Sequence, residues 1–225
     1  MPRIAQPHAA IVDLDGTLVD TLPDFTAALA ASHRELGVAT LGAEVIERIV
    51  GKGSEHLVRG ALLAARADPD LFDSAWAAYQ RHYGALNGVH SALYPGAAEG
   101  VRELRARGLR LACVTNKPAA FALRLLEMKG LRDVFEQVAG GDTFERKKPD
   151  PLPLLRTCDS LGVEPARTLM VGDSSNDAAA ARAAGCPVVL VTYGYNHGVP
   201  IREVAADGYV ASIADLPDWI AGAAA

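Results

Sequence analysis

The sequence predicts an α/β protein, a Rossmann-like doubly wound parallel sheet with an all-helical segment inserted after its first strand. Three observations carry that expectation. Over residues 92–225 short apolar runs alternate with helix-length amphipathic stretches, the pattern of right-handed crossover units. Runs such as Pro-Val-Val-Leu-Val at 187–191 are apolar on both faces, as strands covered by helices on two sides must be. Between about Leu18 and about Ser91, by contrast, no strand pattern is found.

Taken in order, residues 9–12 have the length and β-branched ending of a short buried strand that delivers Asp13 at its C-terminal end. Helical texture follows. Residues 20–37 carry Leu22, Phe25, Ala28, Leu29 and Leu36, with Gly37 as a stop. Residues 44–65 form a second helical stretch broken by Gly51-Lys52-Gly53, and 71–86 a third. Then come a helix at 97–107, a strand at 109–115 and a helix at 118–129 closed by Gly130. A short apolar segment at 134–138, a helix at 151–161, a strand at 168–171, a helix at 176–184 closed by Gly185 and a strand at 188–192 complete the regular part. A short edge strand at 208–210 and a terminal helix near Asp218 are expected last. The expected organisation is an α/β core domain made of residues 1–17 and 92–225, with a helical cap domain at 18–91.

A chain of 225 residues can bury one substantial core and a smaller second unit. With 50% hydrophobic and 22% charged residues it has the profile of a soluble globular protein. A net charge of -5 supplies no overall basic field, so no nucleic-acid partner is expected. Cys113, Cys158 and Cys186 form no CxxC pair, which argues against a disulfide framework or a zinc site and for a reducing, cytoplasmic location. No run approaches the ~20 apolar residues of a membrane span, and the N-terminus has no signal-peptide core, so no membrane partner is expected. Monomer and homodimer both stay open.

Residues 13–21 read DLDGTLVDT, with Asp13 and Asp15 separated by one residue. Along an extended strand both carboxylates would face one small volume, and their repulsion is tolerable mainly if a cation or a shared proton neutralises them. An Asp/Gly turn ending a strand would explain the fragment taken alone. Three further stations, two strand ends and a loop, weigh against that simpler reading. The strand at 109–115 runs into Thr115, Asn116 and Lys117. Lys147 and Lys148 precede Pro149 in a proline-stiffened loop, and the strand at 168–171 runs into GDSSND, bringing Asp173 and Asp177. In open parallel sheets ligands bind at the carboxyl ends of the strands.

The order and types of these residues resemble the haloacid dehalogenase superfamily of phosphohydrolases. Asp13 through Thr21 match its first motif, Thr115 its second, Lys148 before proline its third, and Gly172 through Asp177 its fourth. The helical segment after the first motif looks like that superfamily's cap. The resemblance implies a magnesium-dependent phosphomonoesterase acting on a small phosphorylated metabolite. Mg2+ would be held by the carboxylates of Asp13 and Asp173 and the main-chain carbonyl of Asp15, with Asp177 in the outer shell. Asp13 would attack phosphorus and form a phosphoaspartyl intermediate. Asp15 would protonate the leaving alkoxide and then take a proton from water. Lys148 and Thr115 would hold phosphoryl oxygens, with Asn116 beside them as a binding residue. The metal and Lys148 are expected to lower the Asp13 pKa.

Asp15 argues against carbon–halogen and phosphonate cleavage, since relatives with those activities lack it. The opening DLDGTLVDTLPD, the fragment YGYNHG at 193–198 and the GKG turn look like the bacterial phosphoglycolate phosphatases of the superfamily, which hydrolyse 2-phosphoglycolate to glycolate and phosphate. Lys52, flanked by glycines, is the candidate partner for the substrate carboxylate. Other small-metabolite phosphatases, acting on sugar phosphates or a phosphorylated amino sugar, share the motifs. So do phosphosugar mutases, and a silent phosphate-binding regulator could use the same fold.

Overall fold

The computed structural model describes residues 6–224. Its first strand, β1 (Ala9–Val12), is fully buried along its length because strands flank it on both sides. Two two-residue strands, β2 (Val19–Asp20) and β3 (Ala92–Leu93), pair antiparallel as a ribbon. β1 pairs in parallel with β4 (Arg110–Val114) and with β6 (Thr168–Gly172). Adding β5 (Gln137–Ala139), β7 (Val188–Val191) and β8 (Gly208–Val210) gives a six-stranded parallel sheet in the order β5-β4-β1-β6-β7-β8. The chain winds outward from β1 through β4 to β5, returns to the other side of β1 at β6, and continues to β7 and β8. Such a reversal of strand order leaves a crevice at the carboxyl ends of the central strands.

Alternation along β1 divides the core. Ala10 and Val12 face one layer with Leu104, Leu125 and Trp219, while Ala9 and Ile11 face the other with Leu154 and Ala181. The first layer is built by α5 (Ala97–Ala106), α6 (Ala119–Met128) and α9 (Leu216–Ala224), the second by α7 (Leu152–Leu161) and α8 (Ser175–Ala184). Every expected core element is present within a few residues of its expected bounds.

The segment between β2 and β3 is helical: α1 (Leu22–Glu35), α2 (Ala43–Ile49), α3 (Ser54–Ala64) and α4 (Phe72–Leu86). The expectation of no strand up to Ser91 fails at its start, where β2 forms. Two residues are too few for an alternating pattern to register in sequence, and the ribbon exists only because its partner lies 74 positions away, with Leu93 across from Val19. The helices enclose a separate apolar cluster that includes Phe25, Leu29, Ile46, Leu57, Tyr79 and Tyr83. Tyr83 stacks on both Phe25 and Tyr79, with ring centroids 5.2 and 5.3 Å apart. The buried Asp24 carboxylate accepts hydrogen bonds from the backbone N–H groups of Gly88 and His90, each at 2.7 Å, tying α1 to the segment that returns to the sheet.

Candidate active site

Because the strands run parallel with Val12 opposite both Cys113 and Val171, the residues just past β1, β4 and β6 lie side by side at one edge. There, carboxylate oxygens of Asp13, Asp173 and Asp177 lie within 4.8 Å of one another, all buried. The glycines of these motifs are required by close approach. A Cβ on Gly16, at φ +84°, would sit 2.2 Å from Asp173 Oδ2, and one on Gly172 would sit 2.3 Å from Asp177 Cγ.

Lys148 joins the cluster with all three of its N–H donors engaged. Its Nζ donates to the Val114 carbonyl at 2.7 Å and to Asp177 Oδ1 at 2.7 Å, and lies 3.0 Å from Asp13 Oδ1. Asp177 in turn accepts from Asp173 N, Ser174 N and Ser174 Oγ, forming the capping box that starts α8. Asp173 is held by Thr17 Oγ1 at 2.7 Å and by the Tyr195 backbone N–H at 2.6 Å. Leu14 N donates to Asp13 Oδ1 at 2.7 Å, so both recorded contacts of this carboxylate fall on Oδ1.

Three carboxylates surround one ammonium, and burial shifts two of them. Burial pushes the Asp13 carboxyl up to about 7, against the opposing pull of Lys148 and with added push from Asp177. Burial, followed by repulsion from Asp177 and Asp13, raises the Asp173 carboxyl well above the ordinary range. Burial alone would depress Lys148, but Asp13 and Asp177 hold it above its ordinary value. Lys148 by itself therefore does not produce the lowered Asp13 pKa expected from the sequence. Desolvation outweighs one cation. The residues fit a divalent metal: the donors are all hard carboxylate oxygens, they converge, and they carry negative charge that the protein leaves uncompensated.

Asp15 is turned elsewhere. Its Oδ1 accepts from Lys117 Nζ at 2.8 Å, and the Lys117 side chain is only 1% exposed. Lys117 stands over the faces of Phe25 and Tyr83, 4.6 and 5.0 Å from the ring centroids. An enclosed cavity of about 30 Å³ separates sheet edge from helices, with Asp13, Asp15, Thr115 and Lys117 on one side and Phe25, Gly53, Ser54 and Leu57 on the other.

The structure therefore brings Asp13, Asp15, Thr115 and the neighbouring Asp173, Asp177 and Lys148 to one place. Asn116 also lines the cavity, but its amide donates to the Lys148 carbonyl at 2.8 Å and to the Gly51 carbonyl at 2.9 Å, pinning the lysine loop and the turn between α2 and α3. Lys52 lines a separate open groove with His56, Arg146 and Lys147 and is not among the residues of the enclosed cavity. Sequence reasoning noticed Lys117 only as a strand-end donor and passed over Thr17 and Tyr195 as holders of Asp173. The fragment YGYN contained the signal: a Cβ on Gly194 would meet Asp173 Cβ at 2.2 Å, so glycine lets Tyr195 N reach the carboxylate.

A strand-end carboxylate cluster of this kind on a doubly wound sheet marks a hydrolase class, and the chain belongs to the haloacid dehalogenase-like hydrolase family, whose model matches residues 7–185. Among its relatives is the phosphoglycolate phosphatase of Thiobacillus denitrificans, 46% identical over 210 residues that cover 92% of each chain. The crystal structure of a predicted phosphoglycolate phosphatase from Haemophilus somnus superimposes with a TM-score of 0.91 at 32% identity, covering 96% of this chain and 98% of that one. The structure of CbbY from Rhodobacter sphaeroides in complex with phosphate gives a TM-score of 0.77 at 26% identity, covering 93% and 96%. No helix among the described residues is long and apolar enough to cross a membrane.

Proposed function

We propose that the protein is a magnesium-dependent phosphatase that hydrolyses 2-phosphoglycolate to glycolate and phosphate. The observation that carries this reading is the cavity over Asp13 and Asp15, lined also by Thr115 and Lys117, in a chain 46% identical to a phosphoglycolate phosphatase. Names of relatives at 46% identity and of the Haemophilus somnus structure support the same substrate.

Asp13 is the nucleophile. Leu14 N and Lys148 hold its Oδ1, orienting Oδ2 for in-line attack that forms a phosphoaspartyl ester. Asp15 protonates the departing alkoxide and then removes a proton from the water that cleaves the ester. Thr115 offers its hydroxyl to the phosphoryl oxygens, and Lys148, whose donors are held by Val114, Asp13 and Asp177, adds positive charge beside them. Mg2+, held by Asp13, Asp173 and the Asp15 carbonyl, would neutralise charge between carboxylate and phosphoryl oxygens. Asp177 fixes Lys148 and the start of α8 rather than offering free lone pairs, consistent with an outer position. Residues 18–91 act as a cap on the core formed by 1–17 and 92–225. Their apolar cluster is largely their own, with Tyr195 and Phe121 of the core joining it, and its opening and closing would admit substrate and exclude water. Three buried cysteines without disulfides suit a reducing cytoplasm.

Phosphate release from a panel of small esters, with magnesium and with chelator, tests this reading. The wild type should prefer 2-phosphoglycolate, and Asp13→Asn should lose roughly 10⁴-fold or more in kcat while folding normally. Activity confined to sugar phosphates, or equal release by Asp13→Asn, would overturn it.

A further inference from the structure

Lys117 is the single cationic side chain among the residues lining the enclosed cavity. It is buried, yet only one of its N–H donors has a hydrogen-bond acceptor, Asp15 Oδ1. The remaining neighbours of the ammonium are the ring faces of Phe25 and Tyr83, which favour a cation but offer no lone pair in the ring plane. A desolvated ammonium with donors to spare is a strong anion site, because the low-dielectric walls raise the value of each charge-assisted hydrogen bond.

The opposite wall adds polar groups. Ser54 opens α3, whose N-terminus carries unpaired backbone N–H groups, and Gly53 precedes it at φ +91°. Behind this wall the Tyr79 hydroxyl is fully buried beside the Ser54 side chain. The cavity thus has one end at Asp13 and Thr115 and another where the paired Lys117 ammonium faces Ser54 and the start of α3 across the space.

We propose that Lys117, with Ser54 across the cavity, is the carboxylate-recognition site that selects an α-carboxylate on the leaving group. This rests on the 2-phosphoglycolate reading and replaces Lys52 as the residue that meets the carboxylate. The reach is right: Asp15 must touch the ester oxygen, Lys117 touches Asp15 at 2.8 Å, and one carbon separates ester oxygen from carboxylate in 2-phosphoglycolate.

The test compares 2-phosphoglycolate with ethyl phosphate, which keeps the two carbons and the poor leaving group but has no carboxylate, using the full chain with magnesium. Wild type should favour 2-phosphoglycolate by about 10²-fold or more in kcat/KM. In Lys117→Met that ratio should fall by at least roughly tenfold, mainly through KM for 2-phosphoglycolate, while Lys117→Arg should retain part of it. Whatever both esters lose in common through a disturbed Asp15 cancels in the ratio. An unchanged ratio would overturn the assignment and leave Lys117 as a support for Asp15 alone. Product inhibition of the wild type needs no variant: glycolate should inhibit and the neutral glycolamide should not, and equal inhibition by the two would also overturn it. A wild type that cleaves other esters but not 2-phosphoglycolate fails earlier, at the function itself.

Discussion

Two buried lysines stand at the sheet edge, Lys148 against Asp13 and Lys117 against Asp15, and they are held in opposite ways. Lys148 has a carbonyl and two carboxylates around it and no donor left over. Lys117 has one carboxylate, two aromatic faces and a cavity. The first is part of the sheet edge, where it offsets charges that would otherwise repel. The second sits where sheet edge meets helices, over two aromatic rings and at the wall of the cavity, with one carboxylate as its hydrogen-bond partner. Full satisfaction builds a scaffold, and partial satisfaction builds a binding site.

The sharpest way to break that contrast is to remove each ammonium. Lys148→Met leaves Asp13 and Asp177 buried without a counter-charge, so urea unfolding should show a loss of ~3–5 kcal/mol, with kcat for phosphate release falling roughly 10³-fold. Lys117→Met should lose less than ~2 kcal/mol, since Asp15 borders the cavity and can be hydrated there. Equal losses would remove the distinction.

The uncompensated charge at the sheet edge gives a smaller effect that pH can reveal. Asp13 titrates near 7 in the fold against an ordinary 3.8. A carboxyl raised by folding contributes stability that is full below its unfolded value and is lost as pH rises through its folded value. Between pH 5.5 and 8 the metal-free protein should therefore lose ~2 kcal/mol from this group. Calorimetry should show Tm falling over that window, with magnesium or Asp13→Asn flattening the slope. A Tm that rises with pH in chelator would contradict the account.

The smallest effect concerns the link between the two regions. Asn116→Ala removes hydrogen bonds to the Gly51 and Lys148 carbonyls. It should cost ~1–2 kcal/mol and about a tenfold drop in kcat with little change in the preference between esters. A changed preference would make Asn116 a reader of the leaving group.

Much of this was legible beforehand. The strands at 9–12 and 208–210 were expected at their observed bounds, because short apolar runs bounded by turn residues leave little freedom. Asp13, Thr115, Lys148 and Asp173 were also expected together, since a parallel sheet delivers every strand end to one edge. The β2–β3 ribbon was not, being two residues long on each side. Nor was the use of Lys117, a residue that in sequence looks like any polar neighbour of a strand end. Its meaning depends on Phe25 and Tyr83, which come from helices far away in the chain.

The sequence by itself determined the class of fold, the order of its elements and the residues that meet at the sheet edge, because periodicity and motif spacing are local properties of the chain. Tertiary structure alone decided which lysine faces the cavity, what holds Asp173 and how small the enclosed space is. Those depend on distances between segments that no local pattern encodes, and on burial, which decides whether an ammonium is an ordinary surface charge or a desolvated anchor.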